Sequence, residues 1–456
     1  MAIIDFTGSR ISKNTVQARP LLTRLHLMRF KMYPIYAKIL WLGILTILLP
    51  ALSFANKTQL NFYVPSGVTT ETSRLYLNII QDFEDEYPSI KIIFHPSNSY
   101  KQVLQNVITL NRLNKSAGLA VIEISQLLTL KDEQAIIALD EFIDKEKNGK
   151  DIFLKPFIPG FLANSYGNDG KLYGAPLIRS TPIIYYNLDI LKKAGIKLAQ
   201  LPATWHELTA TLKIVKAVTH APPLVLGPVW FDWLFEAFVY QNNGALTSKD
   251  NNQVQFNHPA TIEALTYWKM LMDKGLMSRY GGSWKSLING FSQGSFPIVY
   301  YSSGGMAKLV EMESKAQLNF KWMVDIMPKN KSYSTPVGAA NMFITQHMTS
   351  KEKAAAWQLL NYLLRPNIQA QLSLKSGYFP VIKSAFEESI LKQRYSLEPF
   401  KRARKQLDYS REKIMTRNSV EIRNILKAAI NRVLDDGMDP KESLMKAQAE
   451  AQQWLN

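Results

Sequence analysis

Few of the 456 residues are of types that carry out covalent chemistry at neutral pH, and those few are poorly spaced for it. There is no cysteine, which removes disulfides, thiolate metal sites, thiol nucleophiles and a lipid-modified cysteine anchor. Of the six histidines, His26 lies in the N-terminal segment, and His206, His220, His258 and His347 stand at helix starts or in loops. None has the His-x-x-x-His spacing of a metal site, and no P-loop occurs. An enzyme would need a nucleophile and a base, so reversible binding is the chemistry the residues leave open. Glu123 draws notice here. It closes the apolar run Leu119-Ala120-Val121-Ile122, where an unpaired carboxylate would cost stability.

Charge narrows the class of partner. The chain has 54 basic and 37 acidic side chains, a formal +17. Residues 1–55 hold seven of the bases and one of the acids, which leaves 47 against 36, or +11, for the rest. A surplus of that size favours an anionic partner, either nucleic acid or a small solute, with a generic basic surface as the bland alternative. Basic runs interleaved with aromatics, the mark of a phosphate track, are not seen.

The elements that must position such residues are legible as a pattern. Arg24, Arg29, Lys31 and Lys38 precede an apolar run from Ile39 to Leu52, and Ser53-Phe54-Ala55 follows. That is the basic, apolar, small-x-small order of a secretory signal peptide; an uncleaved anchor is the alternative, and Met28 and Met32 are alternative starts. About 14 apolar positions are short for a membrane span, which needs roughly 20. Export argues against nucleic acid. At 46% hydrophobic and 20% charged, the remainder is globular and long enough for two or three domains. Strand patterns at Leu60–Val64, Ile90–Phe94 and Leu119–Ile124 alternate with helical spacing through Leu75, Ile79, Ile80 and Phe83 and through Val103, Val107 and Leu110. This is an α/β lobe with a mainly parallel sheet, in which ligands bind at the carboxyl ends of strands, and Glu123 falls near one. A strand entered through Pro182 leads to Asn187, a helix over Leu188–Ala194 stops at Gly195, and Thr204-Trp205-His206-Glu207 has capping-box spacing. Alternation runs to about Ile344, and beyond Ser350 the pattern is mostly helical.

Three segments taken together carry a family resemblance: Lys171-Leu172-Tyr173-Gly174-Ala175-Pro176 leading to Tyr185-Tyr186-Asn187, Lys192-Lys193-Ala194-Gly195-Ile196 leading to Pro202-Ala203-Thr204-Trp205-His206-Glu207-Leu208, and Ser376-Gly377-Tyr378-Phe379-Pro380-Val381. In this the chain resembles the extracellular solute-binding proteins of ABC importers, in the sugar-binding branch, and within it the members that bind sn-glycerol-3-phosphate. The resemblance implies a type II periplasmic-binding-protein-like α/β fold, two lobes with mainly parallel sheets around a hinged cleft. It also implies no enzymatic activity, no cofactor or metal, a monomer in the periplasm and an inner-membrane ABC permease as partner. The domains expected are a leader over 1–55, a first lobe of 56–177 plus 340–379, and a second of 178–339 plus 380–456.

The resemblance also implies the site, position by position: Tyr100 after Ser99, Glu123 on the third strand, Ser180 in Arg179-Ser180-Thr181-Pro182, Trp230 and Trp233, Ser302 and Ser303 before Gly304, Gly338, Tyr378, and Arg423 within Glu421-Ile422-Arg423. Where the family has Gly-Gly, this chain has Gly338-Ala339, which matters if the second position needs a positive φ. Arg179 replaces a small polar residue and would either touch phosphate or point to solvent. The implied chemistry is coherent. Arg423 brings a planar fork to a phosphate, hydroxyls and backbone N–H groups complete the cradle, Glu123 takes glycerol hydroxyls, and the two tryptophans cover the carbon chain. A glycerophosphodiester such as glycerophosphocholine, or a maltose-like oligosaccharide, is the alternative ligand.

Overall fold

The computed structural model describes residues 57–66, 70–146, 149–228 and 231–455; the expected leader and Trp230 lie outside them. Strand β1 (Thr58–Val64) pairs in parallel with β2 (Ile90–Pro96) along its length and with β3 (Leu119–Glu123) at its end. Between them run helices α1 (Glu71–Glu86) and α2 (Tyr100–Arg112). Helix α1 starts where the Thr70 hydroxyl accepts the Ser73 N–H, and ends before Pro88. Its Tyr76, Ile79, Ile80 and Phe83 are buried at helical spacing, each contributing roughly 1.5–3 kcal/mol of burial. Ser99 caps α2 in the same way, which sets Tyr100 as its first residue.

Strand β4 (Gly174–Ser180) passes through the single residue Thr181 into β5 (Pro182–Asn187), which belongs to a second sheet. That sheet adds β6 (Leu224–Leu226), β7 (Met277–Arg279), β8 (Ile298–Ser302) and β9 (Trp322–Asp325), with helix α3 (Phe231–Gln241) packed against it. The expected capping box forms at Thr204 and Glu207. The chain returns through β10 (Thr335–Pro336) to β11 (Gly338–Ile344) in the first sheet. Helices α4 (Ser350–Leu363) and α5 (Pro366–Ser376) pack on the first sheet. A third passage then leads to helix Glu398–Lys405 against β9, to β12 (Ser410–Arg411) beside β10, and to helix α6 (Ser419–Leu434). No helix among the described residues is long and apolar enough to cross a membrane.

The two sheets share one plan, in orders β2-β1-β3-β11-β4 and β7-β6-β8-β5-β9. In each, four strands run one way and the fourth in order, β11 or β5, is antiparallel to both neighbours. Each reversed strand is the one entered on crossing from the other sheet, so it begins where the parallel strands end. The register records this: Gly338 sits opposite Ser180, Ala340 opposite Glu123, and Pro182 opposite Ser302. Strand ends and hinge segments therefore converge on one place.

Candidate functional site

At that place lies a cavity of about 130 Å³. Glu123 ends β3, Ser180 ends β4 and Ser302 ends β8; Gly338 and Ala339 open β11; Tyr100 opens α2; Trp233 comes from α3; Trp284, Tyr378 and Lys413 close the walls. A Cβ on Gly338 would fall 2.8 Å from the Trp233 ring, so the glycine lets the indole close directly over the backbone. The indole N–H of Trp233 donates to the Val337 carbonyl at 3.1 Å, which fixes the ring. Trp284 stacks on Tyr301, with ring centres 4.1 Å apart. Ala339 has φ +87°, left-handed backbone that an L side chain adopts only under strain, and a bulge follows at Ala340–Asn341.

The charged groups form an alternating chain. Lys413 Nζ lies 2.8 Å from Glu123 Oε1, Arg423 Nη1 lies 3.9 Å from Glu123 Oε2, and Arg423 Nε lies 2.6 Å from Asp232 Oδ2. Glu123 Oε2 also accepts the Ser125 N–H at 3.2 Å and the Ser125 hydroxyl. Lys413 belongs to no regular element. Both of its backbone groups are held at 2.8 Å by one amide, Asn164, and the next N–H, of Ile414, donates to Glu236 Oε1 at 2.5 Å. Asp232 and Glu236 stand one turn apart on α3, so a single helix face holds both the Arg423 guanidinium and the backbone next to Lys413.

Burial opposes ionisation of Glu123, but Lys413 and then Arg423 outweigh it and hold the carboxyl below the usual range. Asp232 is likewise held down, by Arg423 and then Lys413 against burial. Burial works to lower Arg423 as well, yet Asp232 and Glu123 raise it. Burial and the repulsion of Arg423 lower Lys413, with Glu123 resisting. Glu236 differs. Burial pushes it up to about 8, so it is mostly protonated at neutral pH and leaves two cations facing two carboxylates. A small cavity with this wall, two indoles and two phenols can bind a compact polyol that carries an anionic group.

Residues 78–397 match the family model described as bacterial extracellular solute-binding protein. The chain belongs to that family. The sn-glycerol-3-phosphate-binding periplasmic protein UgpB of Brucella abortus is 25% identical to this solute-binding protein over 398 residues, 84% of this chain and 90% of the relative. Its namesake in Rhizobium meliloti is 25% identical over 400 residues, with the same coverage. Among solved structures, UgpB from Mycobacterium tuberculosis in complex with glycerophosphocholine superposes with a TM-score of 0.74 at 20% identity, covering 88% of this chain and 98% of that one. The cyclic alpha-maltosyl-1,6-maltose binding protein of Arthrobacter globiformis gives 0.74 at 18% identity, covering 88% and 99%. These likenesses show the same two-sheet α/β fold.

Of the residues implied by the sequence, Tyr100, Glu123, Ser180, Trp233, Ser302, Gly338 and Tyr378 line this same cavity of the solute-binding protein. Arg423 stands behind Glu123, on α6. Ser303 is fully buried away from the cavity, where its hydroxyl accepts the Thr181 N–H at 3.3 Å and staples the first crossing. Trp230 lies outside the described residues. Arg179 overturns both readings given to it. It reaches neither solvent nor a phosphate site; it is wholly buried and donates to the carbonyls of Ile178, Ala340 and Phe161 and to Asn341 Oδ1. Sequence reasoning missed Lys413, Trp284, Asp232 and Glu236. A signal existed for the last two: Phe231–Gln241 is otherwise apolar or aromatic apart from its final Gln, and two carboxylates one turn apart in such a helix demand counter-charge. Lys413 had no local signal, since its partner is 290 residues away.

Proposed function

We propose that this chain is the periplasmic substrate-binding component of an ABC importer, and that it binds a glycerol phosphoester, sn-glycerol-3-phosphate foremost, for delivery to an inner-membrane permease. The observation that carries the reading is the Lys413–Glu123–Arg423–Asp232 chain, of which Lys413 and Glu123 line a 130 Å³ cavity and Arg423 and Asp232 stand behind them. A buried phosphoryl group needs counter-charge and donors. Lys413 and Arg423 supply the first; the hydroxyls of Tyr100, Ser180, Ser302 and Tyr378 and the backbone at Gly338–Ala339 supply the second. Glu123 Oε1 has a further lone pair for a glycerol hydroxyl. Trp233 covers the carbon chain together with Trp284. The cavity is smaller than the ~300–1,000 Å³ usual for drug-sized ligands, which favours a three-carbon phosphoester over a maltose-like oligosaccharide. The names of the Brucella and Rhizobium relatives point the same way.

A glycerophosphodiester is the second reading, favoured by charge balance. With Glu236 protonated, two carboxylates already offset the two cations, and a singly charged diester asks for less than a dianion does. The Mycobacterium tuberculosis structure, which holds glycerophosphocholine, supports it.

In this reading the lobes are residues 56–177 plus 340–379 and 178–339 plus 380–456, and the chain acts as a monomer exported by a cleaved leader. Tyr100 and Glu123 belong to the first lobe and Trp233, Trp284 and Ser302 to the second, so a ligand that touches both sets favours the closed form. Calorimetric titration of the chain beginning at Asn56 tests the function. The expected result is binding of sn-glycerol-3-phosphate below about 10 μM, weaker binding of glycerophosphocholine and none of maltose. Heat with maltose alone would overturn it.

A further inference from the structure

Arg423 is the cation that the sequence singles out, yet the charge on the cavity wall itself is that of Lys413. Among the described lining residues Lys413 is the only cation and Glu123 the only carboxylate. Lys413 is 2% exposed, and its place is set from three directions: the Asn164 amide grips its backbone on both sides, Glu236 takes the following N–H, and Glu123 meets its ammonium. Asn164 is itself anchored, because Asn341 Nδ2 donates to its carbonyl at 2.8 Å and Asn341 Oδ1 accepts from the buried Arg179. A lysine ordinarily carries large side-chain entropy and a mobile charge. Here a scaffold that reaches back through β11 and β4 holds the charge at one point of the cavity.

We infer that Lys413 reads the charge of the ligand, favouring a doubly charged phosphomonoester over a singly charged phosphodiester. The inference rests on the phosphoester reading above. The simpler role for Lys413 is counter-ion to Glu123, and the two roles predict different numbers. A coulombic contact scales with the ligand's charge, so removing Lys413 costs a dianion about twice as much in free energy as a monoanion. Loss of a mere counter-ion disturbs Glu123 equally for every ligand.

A phosphomonoester loses its second charge near pH 6, so one ligand can supply both charge states. The groups facing Lys413 are Glu123 from β3, Asp232 and Glu236 from α3 and Arg423 from α6. Glu123 and Asp232 are held below their ordinary values and Arg423 above its own, Glu236 is pushed up to about 8, and burial and Arg423 lower Lys413 itself. The diester, whose single charge does not change between pH 5 and 7, separates the ligand's own proton from any titration of these groups.

The experiment is calorimetric titration of wild type and Lys413→Met with sn-glycerol-3-phosphate at pH 5 and pH 7, and with glycerophosphoglycerol, a diester with one charge. Lys413→Met should weaken the monoester about 100-fold at pH 7 but only about 10-fold at pH 5, and the diester about 10-fold at both. Lys413→Gln, whose amide still donates to Glu123, gives the same comparison should the Met variant fail to fold. Equal losses at both pH values and for both ligands, or no loss, overturn this inference alone. A wild-type chain that binds neither phosphoester overturns the phosphoester reading and this inference with it.

Discussion

Two buried arginines near the crossings between the sheets solve the same problem in opposite ways. Arg179, on β4, meets no carboxylate within ion-pair distance among the described residues; its two terminal nitrogens donate to three carbonyls and an amide oxygen, and burial pulls it down to about 9. Arg423, on α6, lies between Asp232 and Glu123, which hold it above its ordinary value. Neutral acceptors fix a guanidinium in place but leave an incoming anion nothing to exchange with. Carboxylate partners make a cation whose pairing a ligand phosphate can rival. Arg179 is thus a strut, linked by hydrogen bonds to Lys413 through Asn341 and Asn164, and it feels the charge of Glu123 without pairing with it. Lys413 stands on the cavity wall beside Glu123, with Arg423 behind that carboxylate.

The largest expected effect tests the strut. Arg179→Met leaves the acceptors of Ile178, Ala340, Phe161 and Asn341 without their donor and should cost ~3 kcal/mol or more in urea unfolding. Unchanged stability would erase the distinction between the two arginines. Arg423→Ala should weaken sn-glycerol-3-phosphate binding more than about 100-fold by calorimetry, and retained affinity would refute its role.

Titration sharpens the same contrast. Glu236 has a folded pKa of about 8 against an ordinary 4.5, so the folded chain keeps a proton that the unfolded chain gives up. Its contribution is full below pH 4.5 and drains away as the pH rises to about 8. Asp232 and Glu123, held below their ordinary values, contribute above the usual carboxylate range and lose that contribution on acidification. Glu236→Gln should therefore raise stability at pH 8 by more than ~1 kcal/mol and leave it nearly unchanged at pH 5, read from melts at the two pH values. The smallest effect concerns backbone alone. Ala339→Gly relieves the +87° φ and should stabilise the fold by up to about 1 kcal/mol in chemical denaturation. A loss there would mean that the alanine methyl packs usefully.

The first sheet was legible because its signals are local. Apolar strand runs and the spacing of Leu75, Ile79, Ile80 and Phe83 are read within a few positions, and the observed β1, β2, β3 and α1 lie where those signals fall, with Tyr76 rather than Leu75 buried. Glu123 was legible for a related reason, as a carboxylate closing an apolar strand. Residues whose meaning comes from distant partners were harder. Nothing around Lys413 distinguishes it from the other basic residues, because Asn164 and Glu123 reach it across some 250 and 290 positions. Arg179 was misread because its acceptors are backbone carbonyls, which no residue type announces. The positive φ of Ala339 was legible only as a condition, set by a glycine pair that this chain lacks.

A crystal structure of the chain with sn-glycerol-3-phosphate tests the central claim most directly. The account predicts phosphoryl oxygens within hydrogen-bond distance of Lys413 Nζ and the Arg423 guanidinium, with Arg179 still bound to its carbonyls. A phosphoryl group seated elsewhere, with Lys413 and Arg423 still paired to Glu123 and Asp232, would contradict it.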